Sequence, residues 1–402
     1  MKQLVKNISP AALVIISGCV LLLISFGIRH TSGLYMVPIS DHLNSGREVF
    51  GFAVAIQFLM IGLGSPLFGA IADKYGSSKA ALYGVILLII GLYMMSKVQS
   101  SLEIIISQAI FGLGSAGCGT AVVLGAVGKA VEEKNRTLSL GIVMAAGSLG
   151  QFLIVPLAGF LINLSGWMQS VIYLCFISSI MIIFCFTLTM PKKNGEDNEQ
   201  NNRSLKSVLD EAFANKSYNL LTLGFFVCGF HVSFVATHLP AYLEDISLPI
   251  WIGSWSLALI GLFNVFGTLM FGKMGDSKSK KNLLAILYSL RAILFLIFIF
   301  LPKNEITILI FAALLGILWL STVPLTSGII SVIFGSRYMS MLYGFTFLSH
   351  QIGSFLGSWF GGRLYDYYGS YDIMWWICVA LGFVSAAMHM PIIEKPLSKK
   401  YS

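Results

Sequence analysis

The stretch Gly69-Ala-Ile-Ala-Asp-Lys-Tyr-Gly-Ser-Ser-Lys79 (GAIADKYGSSK, residues 69–79) decides the fold. It closes a run, residues 49–72, that carries no charged side chain, and another apolar run opens at residue 80. Its spacing is Gly69-x-x-x-Asp73-Lys74-x-Gly76-x-x-Lys79. An ordinary basic loop needs the lysines; it does not need Gly69, Asp73 and Gly76 at those intervals. A degenerate second copy stands at Gly272–Lys281 (GKMGDSKSKK), with Gly272 and Asp276 each 203 positions after Gly69 and Asp73. The same offset pairs Gly64 with Gly267, Phe68 with Phe271, Gly150 with Gly353, Gly159 with Gly362 and Gly166 with Gly369. In the first apolar run an offset of 202 pairs Gly27 with Gly229 and Pro38 with Pro240. Matches in register over three separate segments mark an internal repeat of about half the chain.

Composition fixes the solvent. Of 402 residues 56% are apolar and 11% charged, and the mean hydropathy is +0.82; a soluble domain carries about 25% charged residues. A bilayer-crossing helix takes roughly 20 apolar residues, and hydropathy predicts twelve spans: 12–39, 49–72, 80–97, 103–129, 138–164, 168–190, 219–243, 250–273, 282–302, 306–334, 339–363 and 372–391. The expected architecture is an all-α polytopic membrane protein: a six-helix bundle over residues 1–190, a polar linker over 191–218 and a second six-helix bundle over 219–402. Parallel repeats of this kind place a binding site at mid-membrane between the halves. With both chain ends in the cytoplasm, 20 of the 26 Lys and Arg lie in inside-facing segments, four (Arg47, Lys97, Lys303, Arg363) in outside loops and two within spans. That bias sets the expected orientation. The net charge of +8 is scattered through short loops, without the aromatic-interleaved patch that nucleic acid requires. The six cysteines form no C-x-x-C pair, so neither a disulfide framework nor a metal site is implied. Lys2, Lys6 and the run into Ile16-Ser-Gly-Cys19 imitate a lipoprotein signal, but the chain continues apolar past Cys19, and a start-transfer helix is the better reading.

The loop motif resembles that of the major facilitator superfamily, G-x-x-x-D-[RK]-x-G-x-[RK]-[RK], and the resemblance covers essentially the whole chain. It implies two six-helix bundles, a secondary transporter without cofactor or metal, and a central cavity lined by the first and seventh spans. In such a loop Gly69 permits close helix contact, Asp73 can cap a neighbouring helix N-terminus, and Lys74 and Lys79 hold the loop in the cytoplasm. The segments GIRHTSGLY, AAGSLGQFLIVPLAG and GFHVSFVATHLPAYLED look like the bacterial monocarboxylate and oxalate/formate branch, whose members move small organic anions by proton symport or exchange. Two positions depart from the pattern. The fourth span reads Gln108-Ala-Ile-Phe-Gly112 where many members carry R-x-x-x-G, and Asn264 and Thr268 stand where the branch tends to carry a cation. Gly112-Leu-Gly-Ser-Ala-Gly117 satisfies the dinucleotide fingerprint, yet lies inside an apolar helix with no strand before it; small-residue helix packing explains it.

All 18 Asp and Glu fall in loops, chain ends or span edges, whereas Arg29, Arg291, His30, His231, His238 and His350 fall within spans. An interior with only basic groups favours an anion. Arg29 lies about nine residues, or ~13 Å, from the end of its span near Pro38, too deep to snorkel. At the 202 offset it falls on His231. The expected substrate-binding set is Arg29, His231, Tyr343, His350, Gln351, Gln57, Asn264 and Arg291, with His231 or His238 carrying a proton where one is coupled. For Arg29 the alternative is pairing with backbone carbonyls or with polar neighbours such as Gln57 or Gln351, and for Arg291 contact with Asn264 or the tenth span. The expected function is transport of a small organic anion by alternating access. Efflux of neutral or amphiphilic compounds and a non-transporting membrane sensor are the alternatives; an intramembrane enzyme is excluded by the lack of H-E-x-x-H, G-x-S-x-G or paired carboxylates at membrane depth. No heptad seam calls for more than a monomer. The charge bias makes the orientation testable: a cysteine introduced at Asn201 should react with an impermeant thiol reagent only after cells are permeabilised, and labelling of intact cells would invert the topology.

Overall fold

The computed structural model describes residues 9–188, 205–335 and 339–397; residues 191–204 of the expected linker lie outside the described residues. Among these residues the secondary structure is helical. In hydrocarbon a helix satisfies its backbone groups within one segment, which is why apolar runs of this length adopt it. Ten stretches are long and apolar enough to cross a bilayer, and one of them, Leu138–Leu188, is two spans joined. The break within it is Gly166, at φ 80°, where an L side chain would be strained. With Met339–Tyr368 the spans number twelve. In order they are Pro10–His42, Arg47–Tyr75, Ser77–Met95, Ser101–Ala130, the two parts of Leu138–Leu188, Lys216–Asp245, Ile250–Ser277, Lys280–Phe300, Glu305–Phe334, Met339–Tyr368 and Asp372–His389. A short amphipathic helix, Leu205–Ala214, precedes the seventh.

Two buried apolar clusters divide the chain. One is built from residues 14–188 with Ala241; the other from residues 208–392 with Leu34, Val155 and Ala158. The repeat is visible in the packing. Gly150 lies against the Leu23 carbonyl and Gly353 against the Phe226 carbonyl; Gly27 meets Ile154, and Phe230 meets Gly357. Every member of the second pair is 203 residues after its counterpart, so the packing register is 203 in the first and seventh spans too. The offset of 202 is therefore corrected. Arg29 is equivalent to Val232, and His231 lies one position, about 100°, round its helix.

Odd-numbered spans run away from the face that carries the chain ends, here the terminal face, and even-numbered ones return from the opposite, far face. Hydrogen bonds and ion pairs join the halves from the far face to mid-span. At mid-span Gln351 Nε2 donates to the Phe58 carbonyl at 3.1 Å, and Asn264 Nδ2 to Ser148 Oγ at 3.0 Å. Nearer the far face Gln151 Nε2 donates to the Leu257 carbonyl at 2.7 Å. At the far face itself, Arg47 of the first half docks into the second. Its guanidinium meets both Asp245 carboxylate oxygens at 2.5 and 2.6 Å, donates to the Tyr371 hydroxyl at 3.1 Å and stacks 3.9 Å above Tyr365. The Asp366 carboxylate accepts from the backbone N–H of Arg47 and Glu48 at 2.9 and 2.7 Å, capping the second span from across the seam. Glu48 in turn accepts from Arg363 and from the Trp359 indole. Toward the terminal face the halves part, and no atom comes within 4 Å of the position a side chain at Gly69 would occupy. The result is a cleft open to the terminal face and floored at mid-span.

Arg363–Glu48 is an exposed pair, and such pairs contribute only ~0.2–1 kcal/mol; the Arg47–Asp245 contact, with the guanidinium side chain 12% exposed, is the main fastener. Arg47→Asp should therefore open the far face. A cysteine placed at Ala241, a fully buried position in the first half's cluster, should then react at least several-fold faster with a soluble maleimide. The charge swap Arg47→Asp with Asp245→Arg should restore slow labelling. Equal labelling in wild type and Arg47→Asp would show that Arg47 does not fasten the seam.

Candidate functional site

Three spans are interrupted at mid-depth, and the interruptions meet the floor of the cleft. The helix Pro10–Arg29 ends at the residue that raises the electrostatic problem. The next three side chains bond to carbonyls at the broken end: His30 Nδ1 pairs with Phe26 O at 2.8 Å, Thr31 Oγ1 with Ile28 O at 2.7 Å and Ser32 Oγ with Arg29 O at 3.0 Å, the first two beside backbone N–H bonds to the same carbonyls. His30-Thr31-Ser32 is thus a C-terminal cap written in the sequence, a signal the hydropathy reading passed over. Just beyond it Gly33 touches the Ala236 carbonyl of the seventh span, an approach a side chain would block.

Arg29 projects from this helix end half-buried, its guanidinium 4.3 Å from the Phe26 ring centroid. Its Nε is enclosed without a partner, and no hydrogen bond or ion pair engages the guanidinium among the described residues. Phe26 in turn occupies the space over Gly147 of the fifth span, where even a Cβ would come within 2.8 Å of its ring. The fourth span is interrupted at Cys118, between Ser101–Gly117 and Thr120–Ala130. The second of these helices starts without a side-chain cap, so its first N–H groups give positive potential at that end. Sequence reasoning missed Phe26, Gly147 and this helix start; the glycine and the broken G-x-G pattern near Cys118 were the available signals.

The other candidates are spread out. Tyr343 and His350 belong to an aromatic ladder on the eleventh span: Tyr343 stacks on Phe347, and Phe347 on His350 with centroids 5.7 Å apart. His350 Nδ1 pairs with Gln351 Oε1 at 3.0 Å, and Gln351 makes the cross-half bond to Phe58 described above. Asn264 is a junction, bonded to Ser148, Thr268 and the Leu320 N–H. Gln57 is fully buried with neither amide atom bonded, and Gly112 packs on its carbonyl. His231 is turned into its own half, fully buried, with its ring 5.1 Å from Phe295 of the ninth span. Its expected place opposite Arg29 is corrected by the register. His238 lies at the far face, between Tyr371 OH at 3.1 Å and the Ser358 carbonyl at 2.7 Å. Arg291 is fully buried and engaged by Leu318 O and Trp319 O of the tenth span, the contact weighed against substrate in the sequence. Gln108, where the family pattern has arginine, donates to Met95 Sδ inside the first half.

Of the loop motif, Asp73 pairs with Lys129 at 2.6 Å, at the end of the fourth span. The expected helix cap is replaced by an ion pair between two exposed side chains. Lys74 leans over Tyr75, and Gly76, at φ 98°, makes the turn into the third span. In the second copy the cap is supplied from elsewhere: the Glu394 carboxylate accepts from Ser279 Oγ and the Lys281 N–H at the start of the ninth span. Gly112, Gly114 and Gly117 pack on the second and third spans, so the dinucleotide-like pattern is helix packing.

The sequence profile of the Major Facilitator Superfamily matches residues 18–358. The uncharacterised MFS-type transporter YcxA of Bacillus subtilis (strain 168) is 22% identical over 92% of this chain and 93% of its own length. The oxalate:formate antiporter of Oxalobacter formigenes is 20% identical over 93% and 90%, and monocarboxylate transporter 12 of Mus musculus 22% over 96% and 88%. The crystal structure of a D-xylose-proton symporter superposes with a TM-score of 0.81 over 97% of this chain and all of that one, at 14% identity, a likeness of fold alone.

Proposed function

The chain belongs to the Major Facilitator Superfamily of membrane transporters, and from that premise we propose that it exchanges small organic anions, monocarboxylates foremost, by alternating access. The observation that carries the reading is Arg29: a cation at mid-span, half-buried, backed by Phe26 and without a carboxylate or carbonyl partner among the described residues. A guanidinium at membrane depth is expensive, at least ~2.5 kcal/mol on the mildest scales. A substrate carboxylate, held bidentately and facing the uncapped start of helix Thr120–Ala130, would supply the missing charge. Similarity to an oxalate:formate antiporter and to monocarboxylate transporters supports the substrate class.

Exchange is favoured over proton symport on two grounds. The spans hold no carboxylate at mid-depth to carry a proton, and His231 and His238 are packed inside the second half, away from Arg29. An empty carrier must then bury Arg29 unpaired when it closes, which disfavours return without substrate. In the proposed orientation the terminal face is cytoplasmic, in a bacterial inner membrane, so this structure is the inward-open state. Asp73–Lys129 and the open space at Gly69 then belong to the surfaces that meet when the cleft closes.

The test is a thermal-shift screen of purified protein against formate, oxalate, lactate, pyruvate, xylose and choline, followed by counterflow of whichever ligand stabilises it. The anions should raise Tm; xylose and choline should not. Arg29→Lys, which loses the planar fork, should reduce counterflow at least tenfold, and Arg29→Ala should abolish it. Accumulation driven by a proton gradient alone, with no counter-anion, would favour symport. Wild-type counterflow in Arg29→Ala would make the residue structural and return the neutral-substrate reading.

A further inference from the structure

The tenth span is interrupted between Glu305–Leu318 and Thr322–Phe334, and its backbone can be accounted for group by group. Ile317 O accepts from Ser321 Oγ at 2.6 Å. Leu318 O and Trp319 O both accept from Arg291 Nη2, the second at 2.6 Å. The Leu320 N–H donates to Asn264 Oδ1 at 3.0 Å. Three carbonyls and one N–H that a continuous helix would pair internally are here paired by side chains, and two of those side chains belong to the eighth and ninth spans. The remaining Arg291 contacts are Cys228 Sγ at 3.6 Å and the Tyr288 ring at 5.4 Å. With no carboxylate paired to it among the described residues, the buried guanidinium is balanced by the negative end of helix Glu305–Leu318.

We propose that the tenth span is a two-state joint, and that Arg291 is the positioning residue that holds it bent while the far face is closed. In a straight helix the N–H groups of Ser321, Thr322 and Val323 would take the carbonyls of Ile317, Leu318 and Trp319, and the Leu320 N–H would return to Gly316 O. Arg291 and Asn264 would both be released. Asn264 also donates to Ser148 of the other half, so straightening removes the atom that orients one of the two mid-span bonds across the seam. The bend and the closed seam are therefore mutually stabilising. The first half has no such joint. The residue equivalent to Arg291 is Leu88, and Gly114 brings the fourth span into direct contact with the Leu88 backbone. That interruption is fixed by dry packing, whereas the one in the tenth span is held by exchangeable hydrogen bonds.

The experiment needs no substrate, so it stands whether or not the anion reading does. Spin labels are placed at Leu102 and Ile306, both exposed at the far face on opposite halves, in a protein whose half-buried Cys19 and Cys175 are replaced by alanine. Electron–electron distance distributions are compared with Tm for wild type, Arg291→Met, Arg291→Lys and Asn264→Leu. Arg291→Met should move at least tenfold of the population ratio to longer separations, Asn264→Leu should shift it the same way, and Arg291→Lys should keep most of the wild-type distribution. A lower Tm with an unshifted distribution in Arg291→Met would mean that the residue only packs, and would overturn the proposal. Should Arg291→Met fail to fold, Asn264→Leu decides alone: an unshifted distribution there overturns the joint as well.

Discussion

A bilayer interior gives no water to a cation, and this chain places two arginines at mid-span with no carboxylate there to meet them. Arg291 is solved from within: it lies on the carbonyls of a broken helix, fully buried and closely bonded. Arg29 is not solved. It has an aromatic ring behind it and an enclosed Nε with no partner among the described residues. The same side chain in two settings gives opposite assignments, and the setting decides. A charge that the fold satisfies by itself has no need of a ligand; one that the fold leaves unsatisfied, in a place where dielectric screening is weak, makes the site depend on what enters it.

The interruptions of the helices follow from the same constraint. A break inside hydrocarbon exposes backbone groups, and each exposed group needs a partner. In the first span the partners come from the next three residues, His30, Thr31 and Ser32. In the tenth they come from other spans, Arg291 and Asn264. Local caps make a fixed bend; distant ones make the bend conditional on where the neighbouring helices stand. Of the three interrupted spans, only the tenth, held from other spans by hydrogen bonds, couples helix shape to the contact between the halves; the fourth is fixed by packing of Gly114 on Leu88.

Much of this was legible in the sequence, for identifiable reasons. Span number follows from uninterrupted apolar length. The repeat follows from glycines, because positions where backbones touch tolerate little else, and the observed contacts of Gly150 and Gly353 are those of a repeat. Side-chain azimuth was less legible. Gly27 with Gly229 and Pro38 with Pro240 suggested an offset of 202, but the packing register is 203: Phe230, not Gly229, takes the place of Gly27 in the packing, and the irregular turn after Arg29 separates the prolines from the helix that precedes them. One residue of error turns His231 by about 100°, from the cleft into the core of its own half. The far-face network was illegible for a different reason. Arg47, Glu48, Asp245, Arg363 and Asp366 count as loop charges in any hydropathy reading, and only the approach of two segments some 200–320 residues apart makes them partners.

That network also explains how a seam can be closed without being locked. The contacts across it are partly exposed ion pairs, a helix cap and a few hydrogen bonds, each contributing about 1 kcal/mol or less in such a setting. Their sum holds one arrangement, and each can be exchanged for water at the far face as the halves separate. A dry apolar seam of the same extent, at roughly 25 cal/mol for every Å² buried, would hold more strongly and release less readily. Placing the charges at the water-facing rim and only single amide bonds at mid-span, Gln351 to Phe58 and Asn264 to Ser148, keeps the two arrangements close in free energy. On the proposed function, the pairing of an incoming anion with Arg29 would be large enough, on the scale of these contacts, to decide between them.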